Sequence, residues 1–155
     1  MHYEFSPISV ADVDAIVSWR YDPPYDFYDM DDDPEDLALF TNPINWDGYY
    51  AVFDGDGERV GFFSFELDDG TLEIGLGMRP DLTGDGHGQS FVEAGLAFAR
   101  KEYDPDAFSL SVATFNDRAI SVYEGAGFER VETFVQETNG GEYPFVRMRR
   151  DTEMD

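Results

Sequence analysis

Apolar and polar positions alternate along this chain with two different periods, and the change of period marks its elements. Tyr3, Glu4 and Phe5 alternate as a strand does. Ser9 then precedes Val10, Val13, Ile16 and Val17, the spacing of one helical face, with Ser9 as the capping residue. Rings crowd residues 19–28, where Pro23 and Pro24 oppose a helix and hold the aromatics on irregular backbone. A short helix is expected over 34–40. Period two returns over 49–53 and 59–67, joined by the turn Asp54-Gly55-Asp56-Gly57, and after Asp68-Asp69-Gly70 it predicts a third strand over 71–78, ended by Pro80. Residues 88–103 read as a helix with Val92, Leu96, Ala99 and Tyr103 on one stripe and Phe91, Gly95 and Phe98 beside it. A strand over 108–114, a helix over 117–125 and strands over 128–136 and 143–150 complete the order, with 151–155 as a solvated tail. Strands, helix, strand, helix and two strands, after a helical N-terminal cap, predict a mixed sheet with helices on both faces.

Composition keeps this to a single domain over residues 1–150. Of the 155 residues 42% are hydrophobic and 16% aromatic, which is enough for a core. A chain of this length buries roughly 70% of its unfolded surface without disulfide or metal. It has no cysteine, which removes disulfides, thiolate metal sites and a cysteine nucleophile, and no metal is expected. No run approaches the ~18 apolar residues of a membrane span, and the N-terminus lacks a basic-then-apolar export pattern. A cytoplasmic protein without a membrane partner is expected.

Charge changes the picture most. There are 34 acidic and 10 basic residues, net −24, and Lys101 is the single lysine. Such a field disfavours nucleic acid and anionic membranes as partners. It suits either a cationic substrate such as a polyamine or a solvated surface adapted to concentrated salt. The acids are dispersed from Glu4 to Asp155 and lysine is depleted, which favours the second meaning and a halophilic source. At about 1 M salt the Debye length is about 3 Å, so the self-repulsion is screened.

Two motifs carry chemistry. The first is Met78-Arg79-Pro80-Asp81-Leu82-Thr83-Gly84-Asp85-Gly86-His87-Gly88: a strand ends, glycines follow and a helix begins. Helix N-termini present unpaired N–H groups and the positive end of the macrodipole, so they suit phosphate, and glycines let the backbone approach it. No lysine follows the glycines as in a Walker loop, and Pro80 stands where Gly75-Leu76-Gly77 would need a third glycine for a dinucleotide fingerprint. The second is Asn116-Asp117-Arg118-Ala119-Ile120-Ser121-Val122-Tyr123-Glu124-Gly125-Ala126-Gly127-Phe128. As a plain helix it has Asn116 as N-cap, Ile120 and Tyr123 turned inward, and Gly127 as a left-handed stop.

The pairing of these motifs resembles the acetyl-CoA-dependent N-acyltransferase superfamily (the GNAT fold). The likeness is specific over 71–128 and extends to the rest through strand order. It implies an α/β fold with a mixed, mostly antiparallel sheet of six to seven strands. Residues 71–128 would then be the acyl-CoA-binding core and 9–45 a cap over the acceptor. By the resemblance, Thr83, Gly84, Asp85, Gly86, His87 and Gly88 bind the pyrophosphate of coenzyme A through backbone amides. Met78, at the end of the preceding strand, offers backbone to the pantetheine arm and the thioester carbonyl, and Gly77 beside it is counted among the cofactor-binding residues. Asn116 lies near the pantetheine, and Tyr123 protonates the departing thiolate. Two departures stand out: Thr83 occupies a position usually arginine or glutamine, and Asp85 one that is often basic, so affinity is expected to rest on backbone donors and salt screening.

The expected reaction is acyl, chiefly acetyl, transfer to a small-molecule or peptide amine by direct attack in a ternary complex. The amine must lose a proton, and Glu73, on the face of the third strand shared with Gly75 and Gly77, is the candidate base, with a water relay as the alternative. Tyr21, Tyr25, Asp26 and Tyr28 are the candidate acceptor wall, able to hold an ammonium by charge and cation–π contact or simply to cover the sheet. Members of this superfamily often pair, so a homodimer is an expectation. A coenzyme-A-binding sensor without catalysis is the competing reading, and an acidic interaction protein a third.

Overall fold

Period two and period 3.6 resolve into seven strands and four helices in the computed structural model, which describes residues 3–23, 25–29, 34–83, 86–138 and 141–152. In chain order these are β1 (Tyr3–Pro7), α1 (Val10–Val17), α2 (Pro34–Thr41), β2 (Tyr49–Asp54), β3 (Arg59–Asp68), β4 (Thr71–Met78), α3 (Gly88–Tyr103), β5 (Ala107–Ala113), α4 (Asp117–Gly125), β6 (Glu129–Thr138) and β7 (Gly141–Asp151). The sheet order is β1-β2-β3-β4-β5-β7-β6. Every neighbouring pair is antiparallel except β4 and β5. No helix among the described residues is long and apolar enough to cross a membrane.

Alternation along the inner strands builds a core on each face. On β3, Phe63 points to one side, where Phe91, Val92, Leu96 and Ala99 of α3 and Ile120 of α4 meet it. Phe62, its neighbour, points to the other, packing with Val13 and Ile16 of α1 and Phe40 of α2. Helix α1 begins with a capping box: Ser9 Oγ accepts from the Asp12 N–H, and Asp12 Oδ2 accepts from the Ser9 N–H at 2.9 Å. Asp12 is buried, and its Oδ1 takes the Arg59 Nε–H at 2.8 Å, pinning the start of α1 to β3.

Several element ends shift by one or two residues, and two regions differ in kind from the sequence reading. The aromatic segment is not wholly irregular: Tyr25–Tyr28 forms one turn of 3-10 helix. Pro23 precedes that turn, where a missing N–H costs nothing, and Pro24 lies outside the described residues. At the other end β7 runs through Asp151, and Thr152 is bound rather than solvated. Its hydroxyl donates to the Pro105 carbonyl at 2.7 Å, its N–H to Asp106 at 3.0 Å, and its carbonyl accepts from Arg100. The tail expected over 151–155 therefore starts later, and residues 153–155 lie outside the described residues.

Candidate active site

The site begins where the one parallel pair fails. Strands β4 and β5 are paired only through Thr71, Leu72 and Glu73 against Ala107, Phe108 and Ser109. Beyond that point β4 stays with β3 as far as Met78, while β5 follows β7 as far as Ala113. The Arg79 N–H donates to the Val60 carbonyl at 2.8 Å, which places the odd-numbered backbone groups of β4 on β3. By period two, the N–H and C=O of Leu76 and Met78 turn toward the gap that β5 has left. A cavity of about 760 Å³ fills the gap, walled by Leu76 and Met78 of β4, Leu110 and Val112 of β5, and Asn116 and Tyr123 of α4. That volume is in the range of ligand sites, and unpaired amides beside an apolar wall fit an amide-bearing chain such as a pantetheine arm.

One end of the cavity is the start of α3. Gly86 has φ +82, a left-handed conformation in which a side chain is strained, and nothing stands within 4 Å of where its Cβ would be. Gly88 opens the helix, and a Cβ there would meet Val122 of α4 at 3.1 Å, so the two helices are close against each other. Gly86, Gly88 and Thr83 line the cavity. The Thr83 hydroxyl donates back to the Pro80 carbonyl at 2.7 Å. His87 is half-buried and outside the cavity wall; its carbonyl accepts from Phe91 N–H and Ser90 Oγ–H. Gly84 and Asp85 lie outside the described residues. Arg79 brings no free charge, because its guanidinium is held by Asp81 at 2.6 Å and Glu58 at 3.3 Å.

On α4, Asn116 caps the helix through Oδ1, which accepts from the Ala119 N–H at 3.1 Å, and its Nδ2 donates to the Tyr28 hydroxyl at 3.3 Å. Two turns on, Tyr123 faces the cavity, its ring edge-on to Phe128 at 6.2 Å. Among the described residues its hydroxyl has no hydrogen-bond partner. Burial, then the neighbouring Tyr28 phenol, pushes the Tyr123 phenol well above the usual tyrosine range, so it is protonated at neutral pH.

The N-terminal segment roofs the other end with Trp19, Tyr21, Tyr25 and Tyr28. The Tyr21 hydroxyl donates to the Met78 carbonyl at 2.8 Å, reaching one of the backbone groups turned from β3. Asp26 is exposed and not part of the wall. Glu73 is also exposed, opposite Glu66 on β3, and on the sheet face away from Leu72 and Ile74; it does not line the cavity. The structure thus gathers Gly77, Met78, Thr83, Gly86, Gly88, Asn116, Tyr123, Tyr21, Tyr25 and Tyr28 around one space, and leaves Glu73, His87 and Asp26 outside it. The residue that sequence reasoning passed over is Arg118. It lines the cavity with its guanidinium carbon 4.0 Å above the Tyr25 ring, and the signal for it was only a variable position inside the Asn116 motif.

Comparisons agree with this geometry. A family model described as an acetyltransferase (GNAT) domain matches residues 3–129. The mycothiol acetyltransferase of Propionibacterium freudenreichii is 40% identical over 94 residues, 57% of this chain and 30% of that one. That of Salinispora tropica is 33% identical over 89 residues, 54% and 29%. The chain thus matches less than a third of the length of these relatives. Two solved structures share the fold at lower identity. Spermidine N-acetyltransferase from Vibrio cholerae in complex with CoA and spermine has TM-score 0.76 at 17% identity, covering 97% of this chain and 95% of that one. A GNAT-family acetyltransferase from Bacillus anthracis has TM-score 0.76 at 18% identity, covering 99% and 97%. A cleft between two parting parallel strands, a glycine-led helix start and a tyrosine-bearing second helix lie inside the matched residues, and the chain belongs to the GNAT acetyltransferase family.

Proposed function

We propose that this chain is an N-acetyltransferase that moves an acetyl group from acetyl-CoA to a primary amine by direct attack in a ternary complex. The observation that carries it is the Tyr123 hydroxyl, unpaired among the described residues, beside the gap where β4 offers the backbone of Leu76 and Met78. Bound there, acetyl-CoA supplies an activated thioester. The gap-facing backbone of Leu76 and Met78 holds the pantetheine arm and the thioester carbonyl, with Gly77 between them leaving the strand unshielded and Asn116 beside it. The N-terminus of α3 with Thr83, Gly84, Asp85, Gly86, His87 and Gly88 takes the pyrophosphate. As the amine nitrogen bonds to the acyl carbon and the carbon–sulfur bond breaks, Tyr123 gives its proton to the sulfur. A thiolate leaving into the same apolar surroundings is itself made more basic by desolvation, so the buried phenol remains a usable donor. The amine proton leaves through water, because no carboxylate or imidazole lines the cavity among the described residues; Glu73 serves only as the far end of that relay.

We further infer that the net charge of −24 is an adaptation to concentrated salt, in a cytoplasm of high ionic strength. The test is calorimetric titration of acetyl-CoA in about 1 M KCl, where screening is nearly complete, followed by thiol release with a panel of amines. Binding with amine-dependent release supports the enzyme. Binding without release from any amine favours the sensor reading, which the lack of a free cation on the described part of the phosphate loop supports. Absence of binding refutes both.

A further inference from the structure

In a chain with 34 acidic and 10 basic residues, arginines are expected to be claimed by carboxylates. Most are: Arg59 holds Asp12, Arg79 holds Asp81 and Glu58, Arg130 holds Glu124, Arg147 holds Glu132 and Arg149 holds Asp151. Arg118 differs. No carboxylate pairs with it among the described residues, it is half-buried in the cavity wall, and its guanidinium carbon stands 4.0 Å from the centroid of the Tyr25 ring, a cation–π contact that uses no N–H donor. Its positive charge also reaches the Tyr21 phenol, where it opposes the rise caused by burial and by the nearby Asp29 carboxylate. No Asp or Glu lines the cavity among the described residues. Arg118 is therefore the one charged side chain in the described wall of the cavity, and it is a cation in a strongly anionic protein.

The position of Arg118 separates it from the phosphate end. Val122, one helical turn further along α4, is the residue that packs on Gly88 at the start of α3. Arg118 stands four residues back, about 6 Å along the axis, against Tyr25 of the roof that also reaches Met78 through Tyr21. We propose that Arg118 binds the carboxylate of the acceptor, and that the acceptor is a free α-amino acid rather than a polyamine. The inference rests on the acetyltransferase reading above. The planar fork of a guanidinium matches a carboxylate through two parallel N–H···O bonds. The same pairing helps the chemistry: a carboxylate neutralised by Arg118 no longer holds the neighbouring ammonium in its charged form, so the amine sheds its proton to water without a protein base.

The test measures acetyl transfer at saturating acetyl-CoA with free amino acids, their matching carboxamides and spermidine, in wild type, Arg118→Gln and Arg118→Lys. The expected result is that at least one free acid exceeds its carboxamide in kcat/KM by on the order of ten- to a hundredfold, and exceeds spermidine. Arg118→Gln should erase the acid–amide difference with KM for acetyl-CoA unchanged, and Arg118→Lys should restore part of it. Tyr25→Leu, which removes the orienting ring and keeps the charge, should narrow the difference. Equal use of acid and amide, preference for spermidine, turnover of no free acid, or an Arg118→Gln variant whose KM for acetyl-CoA rises while acceptor preference stays put would each overturn the proposal. Failure of acetyl-CoA to bind at all is a separate result, and it strikes the acetyltransferase reading instead.

Discussion

Replacing Tyr123 by phenylalanine should separate catalysis from folding. The ring meets Phe128 and the cavity walls and keeps those contacts as phenylalanine. The hydroxyl has no partner among the described residues and faces the cavity, so its removal breaks no internal hydrogen bond. The stability change should lie within about 0.5 kcal/mol of zero, or slightly favour the variant. Turnover should respond quite differently. A positioned general acid contributes about 10²–10³-fold, which at about 1.4 kcal/mol per tenfold is about 3–4 kcal/mol of barrier. The assay is thiol release at saturating acetyl-CoA and acceptor, with thermal unfolding followed in the same buffer. Because burial holds the wild-type phenol above its ordinary range, the wild type should show no loss of this acid between pH 7 and 9. A variant that keeps kcat within about threefold of wild type refutes proton donation by Tyr123. One that loses several kcal/mol of stability refutes the unpaired hydroxyl.

Three further outcomes can be checked on the same preparation. Tyr21 and Tyr123 are both held protonated by burial, and unfolding exposes them; below about pH 10 both states keep these protons, and above it the unfolded state releases them first, so stability should fall by about 1.4 kcal/mol per pH unit for each. Denaturant midpoints from pH 9 to 11 test this; Tyr21→Phe should flatten the decline, and a level profile through pH 11 contradicts it. Acetyl-CoA should bind more tightly in 1 M than in dilute KCl, because the protein carries a net charge of −24 and Arg79 is committed to Asp81 and Glu58. Calorimetric affinities that weaken steadily with added salt refute that. Asp12→Ala removes both the helix-start bonds and the Arg59 partner, and since Arg59 is partly exposed and can be hydrated, the loss should be about 2–3 kcal/mol. A midpoint shift worth under about 0.5 kcal/mol shows the pair to be ornamental to stability.

Periodicity made most of the fold legible. Val92, Leu96 and Ala99 share a helical stripe that ends up buried, and Pro80 ends β4 as its missing N–H requires. The capping logic of Ser9 and Asn116 also reads directly, since a side-chain oxygen before an apolar-periodic run has one obvious use. What depends on tertiary placement does not read this way. Period two correctly puts Glu73 on one face with Gly75 and Gly77, but it cannot say that the cavity reaches the two glycines and stops short of Glu73, nor that Glu66 stands opposite. Asp26 sits in an aromatic run whose one-turn helix faces its neighbours inward and Asp26 outward. Arg118 is one of nine arginines by sequence, and becomes distinctive only when it is found in the cavity wall while five of the others hold carboxylates.

The failure of β4 and β5 to stay paired has a thermodynamic side. Seven strands share one sheet, yet the sheet is joined at its centre by three residue pairs, and beyond them the halves are hinged rather than fused. An extended amide chain lying in the gap completes the ladder as an eighth strand would. Its binding energy is then folding energy: a ligand at a hundred times its dissociation constant adds about 2.7 kcal/mol to the native state. The fullest stability of this molecule belongs to the loaded form, and the amides of Leu76 and Met78 are where hydrogen exchange should register the difference.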